Sequence, residues 1–182
     1  NTPGSSIITI EDPIEYSING INQIGVNSRA GLSFANGLRS ILRQDPNIIM
    51  VGEIRDEETA GLAINTALTG HLLLSTIHTN DAATTLPRLI DLKIEPYLIA
   101  STVNVAIGQR LVRRICKDCK EEFKLTDPEM QNLSEVIPLD VLGKKNVFYK
   151  GKGCEKCNDT GYKGRIGINE VLVVDNTIRS AI

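Results

Sequence analysis

Two kinds of residue in this chain have the types and spacing to do chemistry. The first is a set of four cysteines, Cys116-Lys117-Asp118-Cys119 and Cys154-Glu155-Lys156-Cys157, which are its only cysteines. A CxxC pair on a turn directs two thiolates at one metal ion, and two such pairs complete the tetrahedral sulfur shell that zinc prefers. With all four positions filled by thiolate, no ligand site is left for water, so the expected role is to hold the fold together. Two disulfides or four free buried thiols are the alternatives. The second kind is a series of acidic and imidazole clusters. Glu11-Asp12-Pro13-Ile14-Glu15 packs three carboxylates into five residues. That density calls for a divalent cation, an arginine or a water awaiting deprotonation. Gly52-Glu53-Ile54-Arg55-Asp56 follows the apolar run Ile48 to Val51, where a carboxylate can hold the shell of a magnesium ion or polarise water. Asp56 reads as a helix cap, whereas Glu53 lies before the cap. Gly70 to Asn80 carries both histidines of the chain. His78 can donate to a phosphate oxygen, while His71 stands roughly 20 Å away along an extended run. The two histidines therefore cannot share a metal.

The elements needed to position these groups are legible from periodicity. Ile7 to Ile10 is a β-branched run ended by Glu11-Asp12-Pro13. Gly20, Gly25 and Gly31 break Tyr16 to Gly31 into short strands and turns. Ser33 caps a helix with Phe34, Leu38, Ile41 and Leu42 on one face, stopped at Asp45-Pro46. Ile48 to Val51 reads as a buried parallel strand. Asp56 caps a helix closed by Gly70, Leu72 to Ile77 is expected to be a second buried strand, and Asn80-Asp81 to cap the next helix. Val103, Ile107 and Leu111 fall at helical spacing, so a long helix is expected from Pro96 to about Ile115. Thr126-Asp127-Pro128-Glu129 and Asp175-Asn176-Thr177 each look like a helix start. Alternating strands and helices of this kind specify an α/β fold with a parallel sheet and right-handed crossovers. Ligands of such sheets sit beyond the carboxyl ends of the strands, where the three clusters lie. The composition changes at Cys116, so the expected division is 1–115 for the α/β core and 116–182 for the cysteine-bearing region.

Composition removes several classes of function. The chain has 182 residues, 41% of them hydrophobic, and a net charge of −2. Nothing in that balance grips nucleic acid or an anionic membrane. No apolar run approaches the ~20 residues of a membrane span, and no signal peptide opens the chain. Paired thiols suited to zinc imply a reducing, cytosolic compartment.

The clusters, taken together, resemble the secretion ATPase superfamily, the hexameric motors of type II secretion and type IV pilus assembly. Ile8-Thr9-Ile10-Glu11-Asp12-Pro13-Ile14-Glu15-Tyr16 looks like the family's Asp box, Ile48 to Asp56 its Walker B segment and Gly70 to Asn80 its His box. Leu38 to Pro46, the paired CxxC motifs with Gly161-Tyr162-Lys163-Gly164-Arg165, and Gln109 to Arg114 fit as well, so the likeness runs from Ile7 to about Asp175. The tetracysteine argues against the family's retraction motors. The resemblance implies a RecA-like core that hydrolyses ATP with magnesium at the subunit interfaces of a hexamer. Such a motor would sit peripherally on the cytoplasmic side and drive an inner-membrane platform protein. Glu53 would be the Walker B acid, Glu11 or Glu15 would activate water, Asp12 would help bind ATP and His78 would sense its terminal phosphate. Arg39, Arg43 or Arg88 would serve a neighbouring nucleotide, with no ranking among them. Gly52 stands where many other NTPases carry a magnesium-directing Asp.

The chain contains no G-x-x-x-x-G-K-[ST] loop; Gly143-Lys144-Lys145 and Gly151-Lys152-Gly153 lack its spacing and its hydroxyl. Without such a loop no nest of N–H groups cradles phosphates. In the family it precedes the Asp box. The expectation is therefore a C-terminal piece of a longer ATPase that is inactive alone and bears an exposed sheet edge. A zinc-stabilised docking module for the membrane platform is the competing reading, and a nucleic-acid translocase is disfavoured by the acidic balance.

Overall fold

The computed structural model describes residues 4–137 and 147–182; the residues 143–145 just mentioned lie outside that range. The chain falls into two compact units, one formed by Asn1–Gly108 with Asn169–Ile182 and the other by Gln109–Ile168.

The first unit is built on a four-stranded parallel sheet of β1 (Ile7–Glu11), β2 (Asn22–Gly25), β3 (Ile48–Val51) and β4 (Leu72–Ser75), in the order β2-β1-β3-β4. Helix α1 (Phe34–Ile41) begins where Ser33 Oγ accepts from Asn36 N at 3.2 Å. It buries Leu38 and Ile41 in one cluster with Ile8 and Ile10 of β1 and Ile49 and Val51 of β3. Helix α2 (Glu57–Leu68) is capped by the Asp56 carboxylate, which accepts from Thr59 N at 2.8 Å. It ends before Gly70, whose φ of 91° turns the chain into β4. Helices α3 (Thr85–Asp91) and α4 (Pro96–Thr102) complete the core through Leu86, Leu89 and Ile99. Helix α3 starts later than expected. The Asp81 carboxylate instead closes a turn on Thr84 N, and Thr84 occupies the cap position.

Two expectations are corrected. The span after Pro96 is not one long helix: α4 stops at Thr102, and β5 runs from Val105 to Ile115, paired with β8 (Tyr162–Val173) in a two-stranded sheet. Val103, Val105 and Ile107 are β-branched at every second position, a pattern as good for a strand as the four-residue spacing is for a helix, and strand pairing decided. β4 is a strand, but not a buried one: Leu72 and Leu74 are 54% and 53% exposed. It has a pairing partner on one side only, as the last strand of the sheet among the described residues.

Rather than one cut after Ile115, the chain divides after Gly108 and again after Ile168. Residues 169–182 rejoin the first unit for physical reasons. Val174 is buried in its core. Glu170 accepts from Ala82 N at 2.9 Å. Arg179, on α6 (Asn176–Ala181), donates to Ala100 O at 2.6 Å and Asn104 Oδ1 at 3.0 Å. The second unit holds the strand pair β6 (Lys120–Phe123) and β7 (Phe148–Gly151), antiparallel, with α5 (Asp127–Ser134) beginning at Thr126 as its sequence predicts.

Candidate functional site

The three clusters meet in the first unit. β1, β3 and β4 are parallel neighbours, so their carboxyl ends lie side by side. A cleft of about 290 Å³ opens there, lined by Glu11, Asp12 and Glu15 after β1, Glu53 and Arg55 after β3, and Thr76 and His78 after β4. Phe34 and Met50 supply apolar wall. The backbone holds the three ends in line: Gly52 N donates to Ile10 O at 2.7 Å, and Ile54 N donates to Thr76 O at 2.9 Å. Thr76 Oγ1 donates to Gly52 O at 2.7 Å. Gly52 sits where the strands approach closely, since a Cβ added there would lie 3.1 Å from Ile10 O and 3.2 Å from Glu11 Cα. Any side chain at this position would press on the backbone at the end of β1.

The two central carboxylates are held in different ways. Glu53 is nearly buried, its side chain 11% exposed, and its Oε2 accepts from Arg55 Nε and lies 3.1 Å from His78 Nε2. Glu11 is held by neutral groups: its Oε1 accepts from Thr9 Oγ1 at 2.5 Å and from Gln23 Nε2 at 2.9 Å. The Thr9 hydroxyl, outweighing partial burial and aided by Gln23 and the backbone of Glu15, keeps the Glu11 carboxyl below the ordinary glutamate range. Four carboxylates thus face one guanidinium and one imidazole. That excess of hard oxygen donors suits a divalent cation such as magnesium.

The remaining site candidates lie elsewhere. Arg39 pairs with Glu58 at 2.7 Å and Arg88 approaches Asp91 at 4.0 Å. Arg43 is exposed on the turn that follows α1. None of these three lines the cleft. His71 contacts Thr69 Oγ1 at the opposite end of β4. Arg55, Thr9 and Gln23 were passed over in the sequence. Thr9 is two residues from Glu11 within β1, so strand period places it beside its carboxylate, whereas Glu53 and Arg55 lie in the segment between β3 and α2, where no such period applies.

In the second unit the four cysteine sulfurs lie within 4.8 Å of one another. Individual separations are 3.9 Å for Cys116–Cys154, 3.8 Å for Cys119–Cys157 and 3.7 Å for Cys154–Cys157. A tetrahedron with Zn–S bonds of about 2.3 Å has edges of about 3.8 Å, whereas a disulfide needs about 2.05 Å. All four thiols are free, and the donor set fits zinc. Local backbone makes the cage. Cys116 N donates to Gly161 O at 2.9 Å and Lys152 N to Cys119 O at 3.0 Å. Gly151 and Gly161 touch so closely that a Cβ on Gly151 would fall 2.0 Å from Gly161 O. Burial pushes the Cys119 thiol up to about 12. For Cys157 the same burial is overcome by N–H donation from Cys154 and Gly161, and it falls to about 7.

The family model described as "Type II/IV secretion system protein" matches residues 1–182. The chain belongs to that family. It is 54% identical over 181 residues to the type IV pilus assembly ATPase PilB of Thermus thermophilus, covering 100% of this chain and 20% of that protein. It is 48% identical over 182 residues to the type II secretion system ATPase E of Vibrio cholerae, covering 100% of this chain and 35% of that protein. The chain thus spans a fifth to about a third of these relatives. Among solved structures it resembles the pilus retraction motor PilT with bound ADP, with a TM-score of 0.65 and 29% identity over 97% of this chain and 40% of that one. The ATPase DotB of Legionella pneumophila gives 0.61 and 26% over 97% and 39%. The α/β core with a parallel sheet, expected from the sequence, is therefore that of secretion ATPases. No helix among the described residues is long and apolar enough to cross a membrane.

Proposed function

We propose that this chain is the part of a motor ATPase that completes the hydrolytic site for ATP and magnesium, in a machine for type IV pilus assembly or type II secretion. The observation that carries the reading is the convergence of Glu11, Glu53 and His78 from three neighbouring parallel strands on one acidic cleft. Magnesium, when bound, neutralises phosphate charge and orients the phosphates. Glu53 is the acid nearest to that role, and Asp12 and Glu15 add negative charge at the rim. Glu11, held in its ionised form by neutral donors, takes the proton of the attacking water. The water oxygen forms a bond to the terminal phosphorus, the bond to the bridging oxygen breaks, and ADP and phosphate leave. His78, 80% exposed at its side chain, is free to swing from Glu53 to the terminal phosphate.

Arg39, Arg43 and Arg88, exposed and away from this cleft, are suited to a nucleotide on a neighbouring subunit of a hexamer. The cysteine unit carries structural zinc and faces the inner-membrane platform, on the cytoplasmic side. The chain alone, without a GxxxxGK[ST] loop, is inactive. The test is steady-state ATP hydrolysis by the full-length protein. Glu53→Gln should lower kcat by about 10²-fold or more; an unchanged kcat refutes the assignment.

A further inference from the structure

We propose that Gln23 is a positioning residue that aims the Glu11 carboxylate at the attacking water. The inference deepens the reading above and rests on Glu11 being the base. Three observations assign it. The first is register. β1 and β2 are parallel, with Thr9 opposite Gln23 and Glu11 opposite Gly25. Thr9 and Glu11 lie two residues apart on one strand, so both point to the same face as Gln23.

The second is the division of labour within Glu11. Thr9 Oγ1 and Gln23 Nε2 both donate to Oε1. With that oxygen held by two fixed donors, the carboxylate cannot rotate freely at the edge of the cleft. A base fixed at one oxygen by neutral donors is pre-oriented without a cation bound to it. Glu53, in contact with Arg55 and His78, is held in the opposite way.

The third is that Gln23 is itself locked. Its Nε2 also donates to Tyr16 O at 3.0 Å, and its Oε1 accepts from Ile18 N at 2.8 Å. One side-chain amide therefore ties the loop that follows Asp12 back to the sheet and spends its other hydrogen bond on Glu11. Loop and carboxylate move as one, which fixes Glu11 with respect to Asp12 and Glu15.

The experiment compares Gln23→Met, Gln23→Glu and Glu11→Gln in the full-length protein, by ATP hydrolysis against pH and substrate concentration. Gln23→Met keeps the length but removes the donor. It should lower kcat by about tenfold or more, with KM for ATP changed by less than about twofold. Its acid limb should move to higher pH, since Glu11 loses a stabilising donor. The other groups facing the cleft are Asp12, Glu15, Glu53, Arg55 and His78, all unchanged in the variant. Gln23→Glu retains the acceptor for Ile18 N while setting a carboxylate against Glu11. It should be less active than Gln23→Met at neutral pH and regain activity towards acid. Added to Glu11→Gln, neither change should cost anything further. A KM effect with kcat intact, or full additivity with Glu11→Gln, overturns the assignment. If Glu11→Gln itself leaves kcat intact, the reading of Glu11 as base fails instead, and the two failures are told apart.

Discussion

Gly52→Ala tests whether the close approach of β1 and β3 builds the cleft. The added methyl would meet Ile10 O at 3.1 Å, Glu11 Cα at 3.2 Å and the Phe34 ring at 3.5 Å. Two of these neighbours are backbone atoms that cannot rotate away, and Gly52 N is bound to Ile10 O at 2.7 Å. Relief requires the end of β1 to recede by about 0.3 Å, an overpacking cost of about 1–3 kcal/mol. For a chain of this size each kcal/mol is worth about 2–4 °C, so Tm should fall by about 2–12 °C. Activity should fall as well, because the atoms displaced carry Glu11. If a misplacement of about 1 Å costs about 10²-fold and the loss scales with displacement, kcat falls about fourfold. The control is Gly61→Ala in α2, where an added Cβ meets nothing within 4 Å. There the helix gains about 1 kcal/mol. Thermal melting of the 182-residue chain and steady-state ATP hydrolysis of the full-length variants measure the two effects. A Gly52→Ala protein as stable and active as the parent, or a Gly61→Ala protein that loses as much, refutes the reasoning.

Two further outcomes are expected. Purified protein should carry about one zinc per chain, and its removal by chelator should raise amide exchange across Gln109–Ile168 more than in the first unit; metal-free protein with its thiols oxidised in pairs would exclude the site. The folded pKa of Glu11 lies below its unfolded value, so its contribution to stability is complete above the ordinary value of 4.5 and is lost as pH falls through the folded value. Thr9→Val removes the largest cause of that depression, so acid unfolding should begin at higher pH than in the parent; coincident acid transitions would show that the hydroxyl does not matter.

The parts of the fold visible in the sequence were those where local and tertiary demands agree. Asp56 and Ser33 sit one residue before helices whose apolar faces meet the sheet, and they cap them as their types predict. Ile48 to Val51 reads as a strand because it is an unbroken apolar run, and it pairs on both sides, with Ile49 and Val51 buried. The errors came where pattern and pairing diverge. Val103, Ile107 and Leu111 satisfy a helical face, but Val105 and Ile107 also suit a strand, and only β8, some fifty residues on, settles the matter. The leucines of β4 look buried because composition cannot distinguish a central strand from one at the margin of a sheet. The site followed the same rule. Glu11, Glu53 and His78 were visible as unusual groups at strand ends, whereas Gln23 was hidden because its importance depends on the register of β1 with β2.

The cysteine unit is an insertion in the sequence of the first unit, since Gln109–Ile168 interrupts a body that resumes at Asn169. The points of departure and return are adjacent, with a Cβ on Gly108 falling 3.3 Å from Glu170 Oε2. The module can accordingly be treated as a removable cassette. Ligating Gly108 to Asn169 through a short turn should leave the body that bears the acidic cleft with its core intact, while truncating the chain at Ile168 would strip Val174 and the Arg179 clamp from that same body.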